Sequence, residues 1–229
     1  MPSKNTIIIG STGGIGEALT RQLTAQGHTV TALSRTSTPP IDLTDEPTIA
    51  AAAAHLAANA PYDLILVATG ILQTATISPE KTFRDLTPAT LATYFAVNAT
   101  GPALIAKHFL PLLPKTGRGV FAALSARVGS IGDNRLGGWY GYRASKAALN
   151  MLIKTLAIEV ARSRPDAIVV ALHPGTVDTA LSKPFQRGVA PEKLFTADHS
   201  AERLLEVLDQ LTPEQSGDCF AWDRQRVLP

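Results

Sequence analysis

One cysteine in 229 residues rules out an internal disulfide. Cys219 lies in a C-terminal strand pattern and reads as a small buried residue, not a nucleophile. Charge is sparse too: 21 basic and 19 acidic residues leave a formal net charge of +2. The basic residues are scattered, so neither nucleic acid nor a membrane surface is an expected partner. No apolar run reaches the roughly 20 residues of a membrane span. Residues 1–5 lead straight into a strand pattern, so no signal peptide is expected and the setting reads as cytoplasmic. The five histidines, His28, His55, His108, His173 and His199, lack zinc-ligand spacing, and no metal site is expected. His173, at a strand end, reads as structural. There is no proline- or glycine-rich linker and no repeat. Residues 1–229 are therefore expected to form a single domain with a sizeable core.

What is present is alternation. Short apolar runs at 6–9, 29–33, 64–68, 119–124, 168–172 and 219–222 read as strands. Helical patterns fall at 14–25, 46–58, 88–99, 103–112, 142–162 and 200–211. Continuous apolar strands separated by helices predict a parallel sheet covered on both faces, a single-domain doubly wound α/β fold of Rossmann type. Ligands bind such sheets at the carboxyl ends of the strands. Residues 176–196 show no periodicity, and a loop of that length suits a substrate-binding loop. Phe185, Val189 and Leu194 are its candidate apolar contacts, unless they pin the loop to the body.

The first strand–helix junction reads Gly10-Ser11-Thr12-Gly13-Gly14-Ile15-Gly16. Glycines there permit a tight turn and close backbone approach to a pyrophosphate, which the helix N-terminus favours. The spacing differs from the common Gly-x-Gly-x-x-Gly fingerprint. After the second strand comes Ser34-Arg35. A carboxylate there would hold the ribose hydroxyls of NAD, whereas Arg35 suits a 2′-phosphate. NADP(H) is the expected cofactor and NAD(H) the alternative.

Tyr142 and Lys146 lie four apart in a helical pattern, which places both on one face. The ammonium is expected to pull the phenol down from its usual pKa of about 10, giving a proton donor and acceptor. Tyr140 is six residues from Lys146 and falls on another face.

With the glycine turn and the Tyr142–Lys146 pair in this order, the chain resembles the short-chain dehydrogenase/reductase family from residue 7 to about residue 222. Further residues match. Asp42-Leu43 is similar to the pair that contacts adenine, and Asn98 to a helix asparagine that supports a water chain behind the lysine. The run Pro174-Gly175-Thr176-Val177-Asp178-Thr179 is similar to the segment holding the nicotinamide carboxamide, with Val177 and Thr179 among its contacts. The runs Ser125-Ala126-Arg127-Val128-Gly129-Ser130-Ile131, Gly137-Gly138-Trp139-Tyr140 and Phe220-Ala221-Trp222-Asp223 resemble the branch of C-factor-like proteins and sniffer-type carbonyl reductases. Two departures stand out. The family's Asn-Asn-Ala-Gly is here Val67-Ala68-Thr69-Gly70, with Gly70 kept for cofactor approach. The family's serine, three residues before Gly129, is here Ala126. Ser125 is the favoured substitute, Ser130 the alternative, and a chain without that serine the third reading.

The resemblance implies an enzyme: reversible hydride transfer between a nicotinamide cofactor and a small carbonyl or alcohol substrate. Tyr142 would donate the proton, Lys146 would lower its pKa and bind the nicotinamide ribose, Ser125 would support the substrate oxygen, and Asn98 would hold a relay water. Ala68, Thr69 and Gly70 would line the cofactor cleft. Arg127, Asn134 and Arg135 lie near the expected mouth, as substrate contacts or as solvated residues. The small and apolar residues Ala147, Ala148, Leu149, Leu152, Ile153, Leu156 and Ala157 cover more than one helix face, and the resemblance implies a homodimer or homotetramer. A regulatory cofactor-binding protein with little turnover is the alternative. An epimerase or dehydratase would call for a longer substrate domain.

Overall fold

The computed structural model describes residues 4–187 and 190–229. Six parallel strands form the sheet: β1 (Asn5–Ile9), β2 (Thr29–Leu33), β3 (Leu64–Val67), β4 (Gly119–Leu124), β5 (Ala167–His173) and, after a two-stranded excursion, β8 (Cys219–Ala221). Its order is β2-β1-β3-β4-β5-β8-β9, with the two-residue β9 (Arg226–Val227) added antiparallel. The chain steps outward from β1 to β2, then returns to the other side of β1 for β3. That reversal opens a crevice at the carboxyl ends of β1 and β3.

Strand alternation explains why both faces are covered. Ile7, Ile9, Ile65, Val67, Phe121, Ala123, Val169 and Ala171 point to one core, beneath α2 (Glu46–Leu56), α4 (Gly101–Phe109) and α5 (Tyr140–Ala161). Ile8, Leu64, Leu66, Val120, Ala122, Leu124, Ile168, Val170 and Leu172 point to the other, beneath α1 (Gly14–Ala25) and α6 (Ala197–Gln210). Each fully buried Ile, Leu, Val or Phe contributes roughly 1.5–3 kcal/mol, so the strands are held mainly by these two layers. Helix starts follow local chemistry. Thr87 caps α3 (Pro88–Phe95) by accepting from Thr90 N–H at 3.1 Å, and Pro88 suits the first turn. Thr196 caps α6 through His199 N–H at 3.1 Å, which moves the helix start ahead of the predicted residue 200.

Three features differ from the sequence reading. The helices predicted at 88–99 and 103–112 are one rod: α3 passes through a π turn (Ala96–Thr100) into α4. The extra residue per turn leaves no periodic signature, yet π turns favour functional positions, and Asn98 lies in this one. The α5 helix begins at Tyr140, two residues early. The 176–196 loop is partly ordered by a parallel pair, β6 (Thr176–Val177) with β7 (Leu194–Phe195). Leu194 sits in that pair, and Val189 lies outside the described residues. No helix among the described residues is long and apolar enough to cross a membrane.

Candidate active site

The glycine turn between β1 and α1 is built for close approach. Gly10 has φ +88°, where a Cβ would lie 2.7 Å from Thr69 Cγ2 and 2.9 Å from the Ala68 carbonyl oxygen. At Gly16 a Cβ would sit 2.2 Å from the Gly10 oxygen, and at Gly14 2.7 Å from Thr179 Cγ2. The turn is bent toward β2, since Gly10 N–H, Ser11 N–H and the Ser11 hydroxyl all donate to Leu33 O at 2.9–3.1 Å. Gly13 occupies the N-cap position of α1 and offers no side-chain cap. The first-turn amides are left for another acceptor. Thr69 Oγ1 is buried against this turn and has no hydrogen-bond partner. A cradle that a Cβ would fill, free helix amides and an orphaned hydroxyl together fit a pyrophosphate-bearing dinucleotide.

Further along the crevice, Thr12 is exposed on the turn and Ile15 lines the cavity. Arg35 is exposed just beyond β2, beside Ser34 and Thr36, whose hydroxyls are 3.1 Å apart. Asp42 accepts from Thr44 N–H at 2.8 Å and from its hydroxyl at 2.7 Å, which holds the carboxyl below the usual carboxylate range, with Arg35 adding to the effect. Leu43 packs on Gly101, where a Cβ would be 2.7 Å away. Arg35, Asp42 and Leu43 thus lie beyond the deep cavity, along its β2 end.

A cavity of about 740 Å³ runs from Gly13, Gly14 and Ile15 past Ala68, Thr69 and Gly70 to Tyr142 and Lys146. Ser125, His173, Pro174, Gly175, Val177 and Thr179 line it as well. Gly175 takes φ +81°, packed beneath the rings of Phe195 and Trp222, and Ser200 holds Pro174 O at 2.9 Å. That clamp sets the backbone of the segment facing the turn.

Tyr142 and Lys146 lie on one face of α5, with the ammonium nitrogen 5.9 Å from the phenol ring centre. Lys146 Nζ donates to Leu124 O at 2.8 Å and is 3% exposed. The electrostatics of the pair run opposite to the expectation for the phenol. Burial pushes the Tyr142 phenol well above its ordinary range, and Tyr94 adds to the rise. Burial also lowers Lys146 to about 8. Desolvation disfavours both charged forms, and at this separation it outweighs the attraction expected from the four-residue spacing.

Ser125 and Ser130 are separated by the fold. Ser125 lines the cavity, and its hydroxyl donates to Asn150 Oδ1 at 2.7 Å. Ser130 lies outside the cavity lining, where its Oγ accepts from Asp133 N–H at 3.1 Å and donates to Pro229 O at 3.4 Å. The methyl of Ala126 packs with Leu72, Tyr94 and Tyr142. Asn98 is fully buried; its Oδ1 accepts from Ile71 N–H at 2.8 Å, and its Nδ2 donates to Ile71 O at 2.9 Å and to Ser145 Oγ at 3.2 Å. Gly70 passes between this asparagine and Lys146, since a Cβ there would be 3.3 Å from both Asn98 Oδ1 and Lys146 Nζ.

Phe185, a candidate apolar contact of the loop, lines the cavity, and several other lining residues were not among the candidates. Trp139 meets the Tyr142 ring edge-on at 6.2 Å and Phe185 at 5.2 Å. Arg143 lines the cavity and donates to the carbonyls of Gly137, Gly138 and Val128, tying the mouth loop to α5. The adjacency of Trp139 and Arg143 to Tyr142 was the available signal. Leu72, Leu136 and Leu181 had none. Arg127 lines the mouth and pairs with Asp133 at 3.2 Å, whereas Asn134 accepts from Gly137 N–H and shapes the loop, with Arg135 bonding its carbonyl. His173 is brought to the cavity with Nδ1 buried and unpartnered; burial drives its pKa down to about 4. No group of three or more His, Cys, Asp or Glu among the described residues could hold a metal ion.

Residues 4–190 match the family model described as short chain dehydrogenase. The 1-hydroxy-2-glutathionyl-2-methyl-3-butene dehydrogenase of Rhodococcus sp. (strain AD45) is 30% identical over 223 residues, covering 92% of this chain and 93% of that protein. The C-signal of Myxococcus xanthus is 35% identical over 144 residues, 62% of this chain and 81% of that protein. An NADPH-bound carbonyl reductase from chicken fatty liver superposes over 100% of both chains with a TM-score of 0.86 at 24% identity, a likeness of fold.

Proposed function

The chain belongs to the short-chain dehydrogenase family of oxidoreductases, and from that premise we propose that it is an NADP(H)-dependent carbonyl reductase, reversible as an alcohol dehydrogenase. One observation carries this reading: a single cavity joins the glycine turn to a buried tyrosine and lysine on one helix face. A protein that only binds a nucleotide has no need of a proton donor there. When bound, the nicotinamide supplies or accepts the hydride.

The chain's own groups do the rest. The Gly10–Gly16 turn and the first amides of α1 hold the pyrophosphate, with Thr69 Oγ1 as a further contact. Arg35 meets the 2′-phosphate, and Asp42 and Leu43 border the adenine. Pro174, Gly175, Val177 and Thr179 hold the carboxamide. In reduction, Tyr142 gives its phenolic proton to the oxygen that gains charge. The high phenol pKa keeps that proton in place until the alkoxide forms. Lys146 lies behind it, able to stabilise the phenolate, and Asn98 in the π turn holds a water on the path to Lys146. Ser125 supports the substrate oxygen after its hydroxyl leaves Asn150. The wall built by Leu72, Ala126, Val128, Trp139 and Phe185 suits a small apolar carbonyl. Apolar residues of α5 that face outward, Met151 and Ile158, are 67% and 55% exposed, which supports a homodimer or homotetramer through this helix.

The test is NADPH oxidation with a panel of ketones, aldehydes and quinones. Turnover supports the reading. NADPH binding without turnover across the panel favours the second reading, a regulatory cofactor-binding protein. The similarity to C-signal and the engagement of Ser125 by Asn150 speak for that second reading.

A further inference from the structure

Tyr142 lies in the first turn of α5, yet no flanking side chain caps that helix. The N-cap residue, Trp139, takes the left-handed conformation φ 52°, ψ 43°. A bulky residue adopts it only when its surroundings hold it there. The hold comes from the segment after β3. Glu80 O accepts from Trp139 N–H at 2.6 Å, and Glu80 Oε2 accepts from Gly141 N–H at 3.1 Å. The carboxylate is 3% exposed, and Oε1 has no hydrogen-bond partner. Only a glycine fits above it: a Cβ at Gly141 would be 2.9 Å from Oε1 and 2.4 Å from the Tyr94 ring. Burying a half-satisfied carboxylate is unfavourable. The positive end of the 22-residue α5 offsets part of that, and the remainder asks for a purpose.

We propose that Glu80 is a positioning residue, a clamp from a segment distant in sequence that fixes the first turn of α5 and thereby the ring of Tyr142. Its two bonds, at Trp139 and Gly141, bracket Tyr140 and lie three residues and one residue before Tyr142. The main-chain bond sets Trp139, whose indole stands edge-on to both Tyr142 and Phe185. The clamp therefore orients the proton donor and the aromatic wall together. The proposal rests on the reading of Tyr142 as the proton donor. A misplacement of the donor by about an ångström is enough to cost roughly a hundredfold in rate.

The experiment compares Glu80→Ala and Glu80→Gln with wild type in the full chain. Three quantities are read: kcat with menadione or another carbonyl that wild type reduces, the NADPH Kd, and amide hydrogen exchange at Trp139 and Gly141 in NADPH-loaded protein. Glu80→Ala should lose roughly tenfold to a hundredfold in kcat while NADPH affinity is kept, and exchange at Gly141 should quicken, whereas Trp139 N–H keeps its main-chain acceptor. Glu80→Gln retains an acceptor for Gly141 N–H and should recover most of the turnover and protection. The clamp is overturned by wild-type kcat in Glu80→Ala, by an equal loss of NADPH affinity, by absence of rescue in Glu80→Gln, or by unchanged exchange at Gly141. If Tyr142→Phe turns over normally, the proton-donor reading fails separately, and the exchange measurement still judges the clamp.

Discussion

Lys146 should make the stability of this protein rise with pH across a window where most proteins begin to lose it. Its ammonium is 3% exposed and has one main-chain acceptor, Leu124 O. Burial lowers its pKa from the ordinary 10.5 to about 8. Between those values the unfolded chain holds a proton that the folded chain has released, so stability climbs with pH. Below about pH 8 the lysine is charged in both states and the full cost of burying the ammonium is present. Above about pH 10.5 it is neutral in both and the cost is gone. The whole interval is worth about 3 kcal/mol. Cys219 acts against it. Burial raises that thiol from 9.0 to about 12, so above pH 9 the unfolded chain loses the thiol proton first and stability falls. The net curve should rise from about pH 7.5 to 9, flatten, and turn down above about pH 10, where the buried phenols of Tyr142 and Tyr94 keep protons that the unfolded chain loses. Urea denaturation of wild type and Lys146→Met, without added nucleotide, separates the two groups. Wild type should gain about 3 kcal/mol on the variant between pH 7 and 10.5. A difference that is flat, or of opposite sign, would refute the buried ammonium and the desolvation argument with it.

Three further outcomes follow from the geometry. Gly16→Ala forces a Cβ against the Gly10 carbonyl oxygen, 2.2 Å away, and should cost roughly 1–3 kcal/mol or more in stability; thermal denaturation with and without NADPH should also show a weakened ligand shift. Arg35→Ala should raise the NADPH Kd roughly tenfold to a hundredfold through a lost charged hydrogen bond, leaving NADH unaffected; equal losses for both nucleotides would remove Arg35 from the 2′-phosphate. Ser125→Ala leaves Asn150 Oδ1 without its donor, a stability loss of about 1–3 kcal/mol. If the hydroxyl also serves the substrate, kcat should fall by roughly a hundredfold, and a loss of stability alone would make Ser125 purely structural.

Much of this was legible in the chain because the relevant physics is local. Strands β2 and β4 have the predicted ends, since each is a bounded apolar run between turn residues. The glycine turn was readable from the residues alone, because only glycine permits φ +88° at Gly10 and the Gly16–Gly10 approach. The four-residue spacing placed Tyr142 and Lys146 on one face. Their electrostatics were not readable, because the sign depends on how deeply neighbouring elements bury them. The hydroxyl of Ser125 points toward Asn150 because 121, 123 and 125 share the α5 face of the sheet. The loop pairing of Thr176 with Leu194 joins residues far apart in the chain, and no periodic pattern announces it. Glu80 was invisible for the same reason: its partners, Trp139 and Gly141, are about sixty residues downstream.

The measurement that bears most directly on the central claim is a parallel assay of wild type and Tyr142→Phe. It follows NADPH oxidation with a carbonyl that wild type reduces, and NADPH affinity by fluorescence. Tyr142 supplies the proton in this account and little of the nucleotide contact. The variant should therefore bind NADPH as wild type does and lose nearly all turnover. Undiminished turnover in Tyr142→Phe would contradict the assignment of proton transfer to this residue.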